Sequence, residues 1–214
     1  MGQGSKSPAT GCRTVIRAVV LDIGGVLEVI HDAVFPAPFE RRHGLAPGSV
    51  AAACDWPGDP MVGAMTEDET RAHWQQRLAV TDEQTDELVA DQWRWYVGTL
   101  DRELFDWFAG LRGRGLRTGI LSNSGPGARE AERHHGFEDV VDELVYSHEV
   151  GLKKPDPGVY ALTTSRLGVD ASEVVFLDDV EVCVDAARAH GWQAVLHRDT
   201  NRSIAELEAV IAAG

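Results

Sequence analysis

Ala18-Val19-Val20-Leu21-Asp22-Ile23-Gly24-Gly25-Val26-Leu27 is the stretch from which the rest of the chain is read. An unbroken apolar run ends on one carboxylate, and two glycines follow shortly after. A run without alternation predicts a strand buried on both faces, as in a parallel sheet. Asp22 then stands at the strand's C-terminal end, the edge where open α/β sheets bind ligands. Gly24 and Gly25 permit positive φ and close backbone approach, so the loop can wrap around a small group. In isolation, Asp22 reads more readily as a turn cap.

Beyond Leu27 the pattern turns helical and stays so from about His31 to Leu100, without a strong strand signal. Thr66-Glu67-Asp68-Glu69 and Thr81-Asp82-Glu83-Gln84 have the form of capping boxes, each opening a helix. Five of the six tryptophans (56, 74, 93, 95, 107) fall in or just after this region. They predict an aromatic core for the helical segment, with some rings available to line a pocket. From Asp101 onward helices and strands alternate. Helices are expected at 101–113, 127–135, 156–167, 180–190 and 201–212. Strands are expected at Leu116–Ser122, Leu144–Tyr146, Glu173–Leu177 and Gln193–Leu196. Such alternation predicts βαβ units and a mostly parallel sheet. The expected α/β architecture is a three-layer core of residues 15–30 and 101–214. A helical cap of residues 31–100 is inserted after the first strand, and residues 1–14 form a flexible, Gly/Ser/Pro-rich N-terminus.

The 214 residues suffice for one sizeable domain with an insert. A formal net charge of −14 argues against a nucleic-acid or membrane partner, so an anionic substrate needs a local cation. Cys12, Cys54 and Cys183 are scattered, with no CxxC, and predict reduced thiols in a cytoplasmic protein. No apolar run approaches the ~20 residues that span a bilayer. Oligomeric state is open between monomer and homodimer.

Three further polar groups follow predicted strand ends: Ser122-Asn123-Ser124, Lys153-Lys154-Pro155-Asp156-Pro157 and Asp178-Asp179. Parallel strands open on one edge, so Asp22, Ser122, Lys154 and the Asp178–Asp179 pair should converge. Two or three carboxylates with a backbone carbonyl are a Mg²⁺ donor set, completed by waters and a phosphate oxygen. A metal beside a carboxylate relieves its repulsion of a phosphate dianion, and that carboxylate can then attack phosphorus.

These motifs, in this order over about residues 15–212, resemble the haloacid dehalogenase superfamily of phosphohydrolases. Within it the chain is similar to members with a helical cap after the first strand of a Rossmann-like core. The C-terminal third looks most like the phosphatase domain of soluble epoxide hydrolases and bacterial sugar-phosphate phosphatases. The resemblance implies Mg²⁺-dependent hydrolysis of a small phosphorylated metabolite. Asp22 would be the nucleophile and a metal ligand, Ser122 the phosphate-binding hydroxyl and Lys154 the catalytic lysine. Asp179 would ligate Mg²⁺ directly, Asp178 through water and Gly24 through its carbonyl, while Asn123 and Gly25 would contact substrate. Lys153 is expected to be a solvated loop charge.

One departure stands out. The family's phosphatases carry a second aspartate two residues after the nucleophile, a proton donor for the leaving alcohol, and here that position is Gly24. Three readings follow: a phosphatase protonated by another group or by solvent, a metal-independent dehalogenase whose halide needs no proton, or a binding and regulatory module. His31 and Asp32 are the candidate replacement donors nearest along the chain, although an exposed linker is the plainer reading of His31. Cys183, where relatives often have Asn or Asp, reads as a core-facing helix residue. Gly125-Pro126-Gly127 lacks the spacing of a phosphate-binding P-loop and reads as a plain loop. His134-His135 and His148-Glu149 lack a metal-site spacing and read as solvated surface groups.

Overall fold

The computed structural model describes residues 15–30 and 35–213. Its strands are β1 (Ala18–Leu21), β2 (Glu28–Val29), β3 (Thr99–Leu100), β4 (Arg117–Ser122), β5 (Glu143–Tyr146), β6 (Val174–Asp178) and β7 (Gln193–Leu196). Five of them form one sheet in the order β5-β4-β1-β6-β7, and every pairing in it is parallel. β1 lies at the centre, and all four of its residues are fully buried. The unbroken apolar pattern of 18–21 follows from this, because helices cover both faces of the sheet.

Successive side chains of β1 enter opposite cores. Val19 and Leu21 pack with Leu104, Phe108 and Leu207, beneath the helices Arg102–Gly110 and Thr200–Ala213. Ala18 and Val20 pack with Val159, Tyr160 and Ala187, beneath the helices Pro157–Leu167 and Glu181–His190. The result is the three-layer α/β core expected from the alternation. Cys183 is buried on the second of these faces.

Between β2 and β3 the described chain is helical, with its principal helices at Glu67–Leu78 and Asp82–Tyr96. Both open on capping boxes, Thr66 with Glu69 and Thr81 with Gln84. This segment has its own apolar cluster of Phe39, Val50, Ala53, Trp74, Leu78 and Leu88. β2 and β3 pair antiparallel, Glu28 opposite Leu100 and Val29 opposite Thr99, so entry to and exit from the segment form a narrow ribbon. The sequence pattern missed this ribbon, since two residues are too few to show an alternation.

A second contact holds the helical segment to the core. The turn Pro60–Val62 rests on the helix Ser147–Val150, so closely that a Cβ on Gly63 would lie 2.2 Å from the His148 carbonyl oxygen. Beside it, Lys153 Nζ lies 2.5 Å from Asp59 Oδ2. Lys153 keeps the solvent exposure expected of a loop charge, with 42% of its side chain open, and in addition pairs across to the helical segment. Among the described residues, no helix is long and apolar enough to cross a membrane.

Candidate active site

Parallel pairing aligns the C-terminal ends of β1, β4, β6 and β7, with Leu21 opposite Ile120 and Leu177, and Asp178 opposite Leu196. The groups that follow these strands open onto one cleft of about 760 Å³, walled in part by Asp22, Gly24, Gly25, Ser122, Asn123 and Asp179. Residues from 22 to 179 meet there because the sheet brings them there.

Lys154 is the hub. Its ammonium lies 2.8 Å from Asp22 Oδ1 and 2.7 Å from Asp178 Oδ2, and its side chain is only 2% exposed. Two carboxylates repay the cost of burying that charge, and hold the ammonium protonated against a burial that works the other way. Asp22 Oδ1 also accepts the Ile23 N–H at 2.8 Å, which fixes the carboxylate's rotation. Asp178 is fully buried, and its other oxygen accepts the Val180 N–H at 2.8 Å. Asn123 commits its side chain to Lys154: Nδ2 donates to the Lys154 carbonyl, and Oδ1 accepts the Lys154 N–H, both at 2.8 Å. The Asn123 amide thus serves the lysine, and its main chain is what remains for a ligand. Ser122 is buried at the floor of the cleft.

Asp179 is more open. Its carboxylate lies over Gly25, where a Cβ would sit 2.4 Å from Asp179 Oδ2, and Gly25 has φ +76°. Any side chain there would strain the backbone and push the Asp179 carboxylate aside. A Cβ at Gly24, by contrast, would meet nothing within 4 Å. The space that a proton-donating side chain would use is present, and the side chain is not.

Oxygen atoms of Asp22, Asp178 and Asp179 lie within 4.8 Å of one another. Burial, opposed by Lys154 and reinforced by Asp178, pushes Asp22 up to about 6. Burial and then Asp178 also raise Asp179. Three carboxylates facing one ammonium leave a surplus of negative charge, and hard oxygen donors at this spacing fit a divalent cation such as Mg²⁺.

Sequence reasoning missed several groups on the same edge. His197, Arg198, Asp199 and Thr200 follow β7 and line the cleft. The rule that found Asp22 would have found them, had it been applied to the last strand. Tyr96, from the end of the helix Asp82–Tyr96, also lines it, with its hydroxyl 3.4 Å from the Asn123 carbonyl.

A buried acid cluster gave no sequence signal. Glu28 is fully buried, 3.1 Å from His135 Nε2, and Glu132 is 1% exposed, accepting the Tyr146 hydroxyl at 2.5 Å. Burial and then Glu132 push Glu28 up to about 9, and burial pushes Glu132 up to about 7. Burial also lowers His135, so a neutral carboxyl can face a neutral imidazole. His135 is thus not a solvated surface group, nor is His148, whose Nδ1 lies 3.0 Å from Ser124 Oγ; His134 and Glu149 are exposed as expected. His31 and Asp32 lie outside the described residues, as do Cys12 and residues 1–14.

The family model for haloacid dehalogenase-like hydrolases matches residues 16–191, most of the chain. The chain belongs to the haloacid dehalogenase-like hydrolases. Its match to bifunctional epoxide hydrolase 2 of Sus scrofa is 36% identical over 105 residues, 47% of this chain and 19% of that protein. Its match to Phosphatase MT3486 of Mycobacterium tuberculosis is 36% identical over 87 residues, 40% of each. The chain thus spans less than half the length of either curated relative. A HAD family enzyme from Bacteroides thetaiotaomicron, solved with magnesium and inorganic phosphate, has the same fold. It superimposes with a TM-score of 0.73 at 22% identity, covering 86% of this chain and 94% of that one.

Proposed function

We propose that this hydrolase is a phosphatase that cleaves a small organic phosphate monoester in a Mg²⁺-dependent reaction through an aspartyl-phosphate on Asp22. The observation that carries the reading is the Lys154 ammonium bridging Asp22 and Asp178 at the head of a three-carboxylate cluster. Asp22, Asp179 and the Gly24 carbonyl would hold the cation, with Asp178 beside them. Bound there, the cation offsets the negative charge of the phosphate and of its attacker.

Asp22 attacks phosphorus, the P–O bond to the leaving group breaks, and water then cleaves the aspartyl-phosphate to regenerate the carboxylate. Lys154 holds the nucleophile in place and offers positive charge to the phosphoryl oxygens. The Ser122 hydroxyl and the main-chain N–H at Asn123 contribute hydrogen bonds to those oxygens, while the Gly25 N–H is held by the Glu28 carbonyl at 2.9 Å and leaves Gly25 to shape the wall of the cleft. The helical unit, which we take as residues 31–100 against a core of 15–30 and 101–214, acts as the cap that closes the cleft. Gly24 leaves protonation of the departing alkoxide to another group or to solvent. The paired acids Asp178 and Asp179 favour this chemistry over a metal-independent dehalogenase.

Phosphate release from aryl, sugar and alkyl phosphates, with Mg²⁺ and with EDTA, tests the reading. Turnover that EDTA abolishes and Asp22→Asn removes is expected. Full activity of Asp22→Asn would refute it.

A further inference from the structure

A second cavity, of about 680 Å³, lies between the helical segment and the core. Phe35, Trp56, Trp74, Trp93, Trp95 and Tyr96 line it, and the loop at Gly125–Pro126 closes its core side. Tyr96 also lines the Asp22 cleft, so the two spaces adjoin at its ring. The volume falls in the ~300–1,000 Å³ range that takes an organic ligand of some size.

We propose that this aromatic chamber takes the organic part of the substrate, and that the substrate is a phosphate monoester of a bulky, apolar, uncharged alcohol. The inference rests on the phosphatase reading above and adds the substrate class. The rings supply faces for apolar contact: Trp56 and Trp74 lie 5.3 Å apart, and Phe35 stacks on Trp95 at 5.5 Å. The chamber's positive charges are already engaged. Arg71 pairs with Asp86 and donates to the Asp82 carbonyl, while Lys153 neutralises Asp59. Glu67 and Asp68 at the rim are exposed and acidic, which disfavours a second anionic group on the ligand. The indole N–H of Trp95 is out of water and makes no hydrogen bond, so one acceptor on an otherwise apolar ligand would be matched. The polar groups Thr70 and Gln92 stand among the rings, so the apolar share of the lining, set by the six aromatic side chains, is what favours an apolar ligand.

Binding to Asp22→Asn, followed by tryptophan fluorescence, tests the inference without turnover. The ligands are 2-(2-naphthyl)ethyl phosphate, decyl phosphate, ethyl phosphate and glucose 6-phosphate. The naphthyl and decyl esters separate aryl from alkyl sources of the same apolar chemistry. At least one should bind tenfold or more tighter than ethyl phosphate, and the sugar phosphate no tighter than ethyl phosphate. Val89→Trp, which fills the chamber, should erase the difference. Trp95→Ala should weaken the naphthyl ester at least fivefold and serves if Val89→Trp does not fold. Equal affinity for all four would overturn the inference, and phosphate released from all four by wild type would then leave the phosphatase reading standing. Tight naphthyl or decyl binding without phosphate release by wild type in Mg²⁺ would support the chamber's ligand class and overturn the hydrolytic reading.

Discussion

Asn123 grips both main-chain polar groups of Lys154, donating to the carbonyl and accepting from the N–H, each at 2.8 Å. It thereby fixes the base of a side chain whose tip bridges two carboxylates from other strands. Asn123→Ala is expected to lower kcat by about 10- to 100-fold, the range of a displaced catalytic group, with little change in KM. Steady-state kinetics beside a thermal melt checks this. Unchanged kcat in a folded variant would mean that Lys154 needs no such support.

Gly24 has room for a side chain and no residue to fill it. Gly24→Asp should fold and restore a proton donor, raising kcat/KM for alkyl phosphates at least tenfold, within the ~10²–10⁴ worth of general acid catalysis. An activated aryl phosphate, whose leaving group needs no proton, should change little. Equal effects on both esters would show that the gain has another origin.

At Gly25 the opposite holds, because Asp179 occupies the space. Gly25→Ala should displace that carboxylate and raise the Mg²⁺ concentration for half-maximal activity at least tenfold. Titration calorimetry with Mg²⁺ gives the same reading without turnover. Wild-type Mg²⁺ affinity in this variant would remove Asp179 from the metal site.

Glu28 imposes a pH dependence on stability. Its carboxyl is pushed up to about 9 in the folded protein against 4.5 for an unperturbed glutamate. Between those values the folded state keeps a proton that the unfolded chain has lost, so stability falls as pH rises, by up to about 1.4 kcal/mol per unit. Glu28→Gln stays neutral throughout. Its melting temperature should exceed wild type by a margin that widens from pH 5 to pH 8. A constant margin would mean that Glu28 is ionised in the folded protein.

The parts legible in the sequence were those that rest on local pattern. The unbroken run at 18–21 marks a strand buried on both faces, and Thr66 and Thr81 announce their helices by side-chain chemistry within four residues. The convergence of Asp22, Lys154 and Asp178 was legible for a related reason, since parallel strands share an edge. Contacts between distant segments were not. Nothing local in Lys153 points to Asp59, 94 positions away, and nothing in Glu28 or Glu132 says that a glutamate is buried. Such burial is set by packing of the finished core, where an acid can be kept neutral. The aromatic chamber is of the same kind: the tryptophans are visible in the sequence, and the space between them is not.

The central claim is that phosphate passes through Asp22, and trapping it there is the most direct test. Wild-type protein turning over an ester in Mg²⁺ is quenched in acid within the first turnovers, and the peptide carrying Asp22 is examined by mass spectrometry. One phosphoryl group on Asp22, absent from Asp22→Asn and from an EDTA control, is the predicted result. Phosphate release that persists in Asp22→Asn, with no phosphorylated peptide at any quench time, would contradict the account.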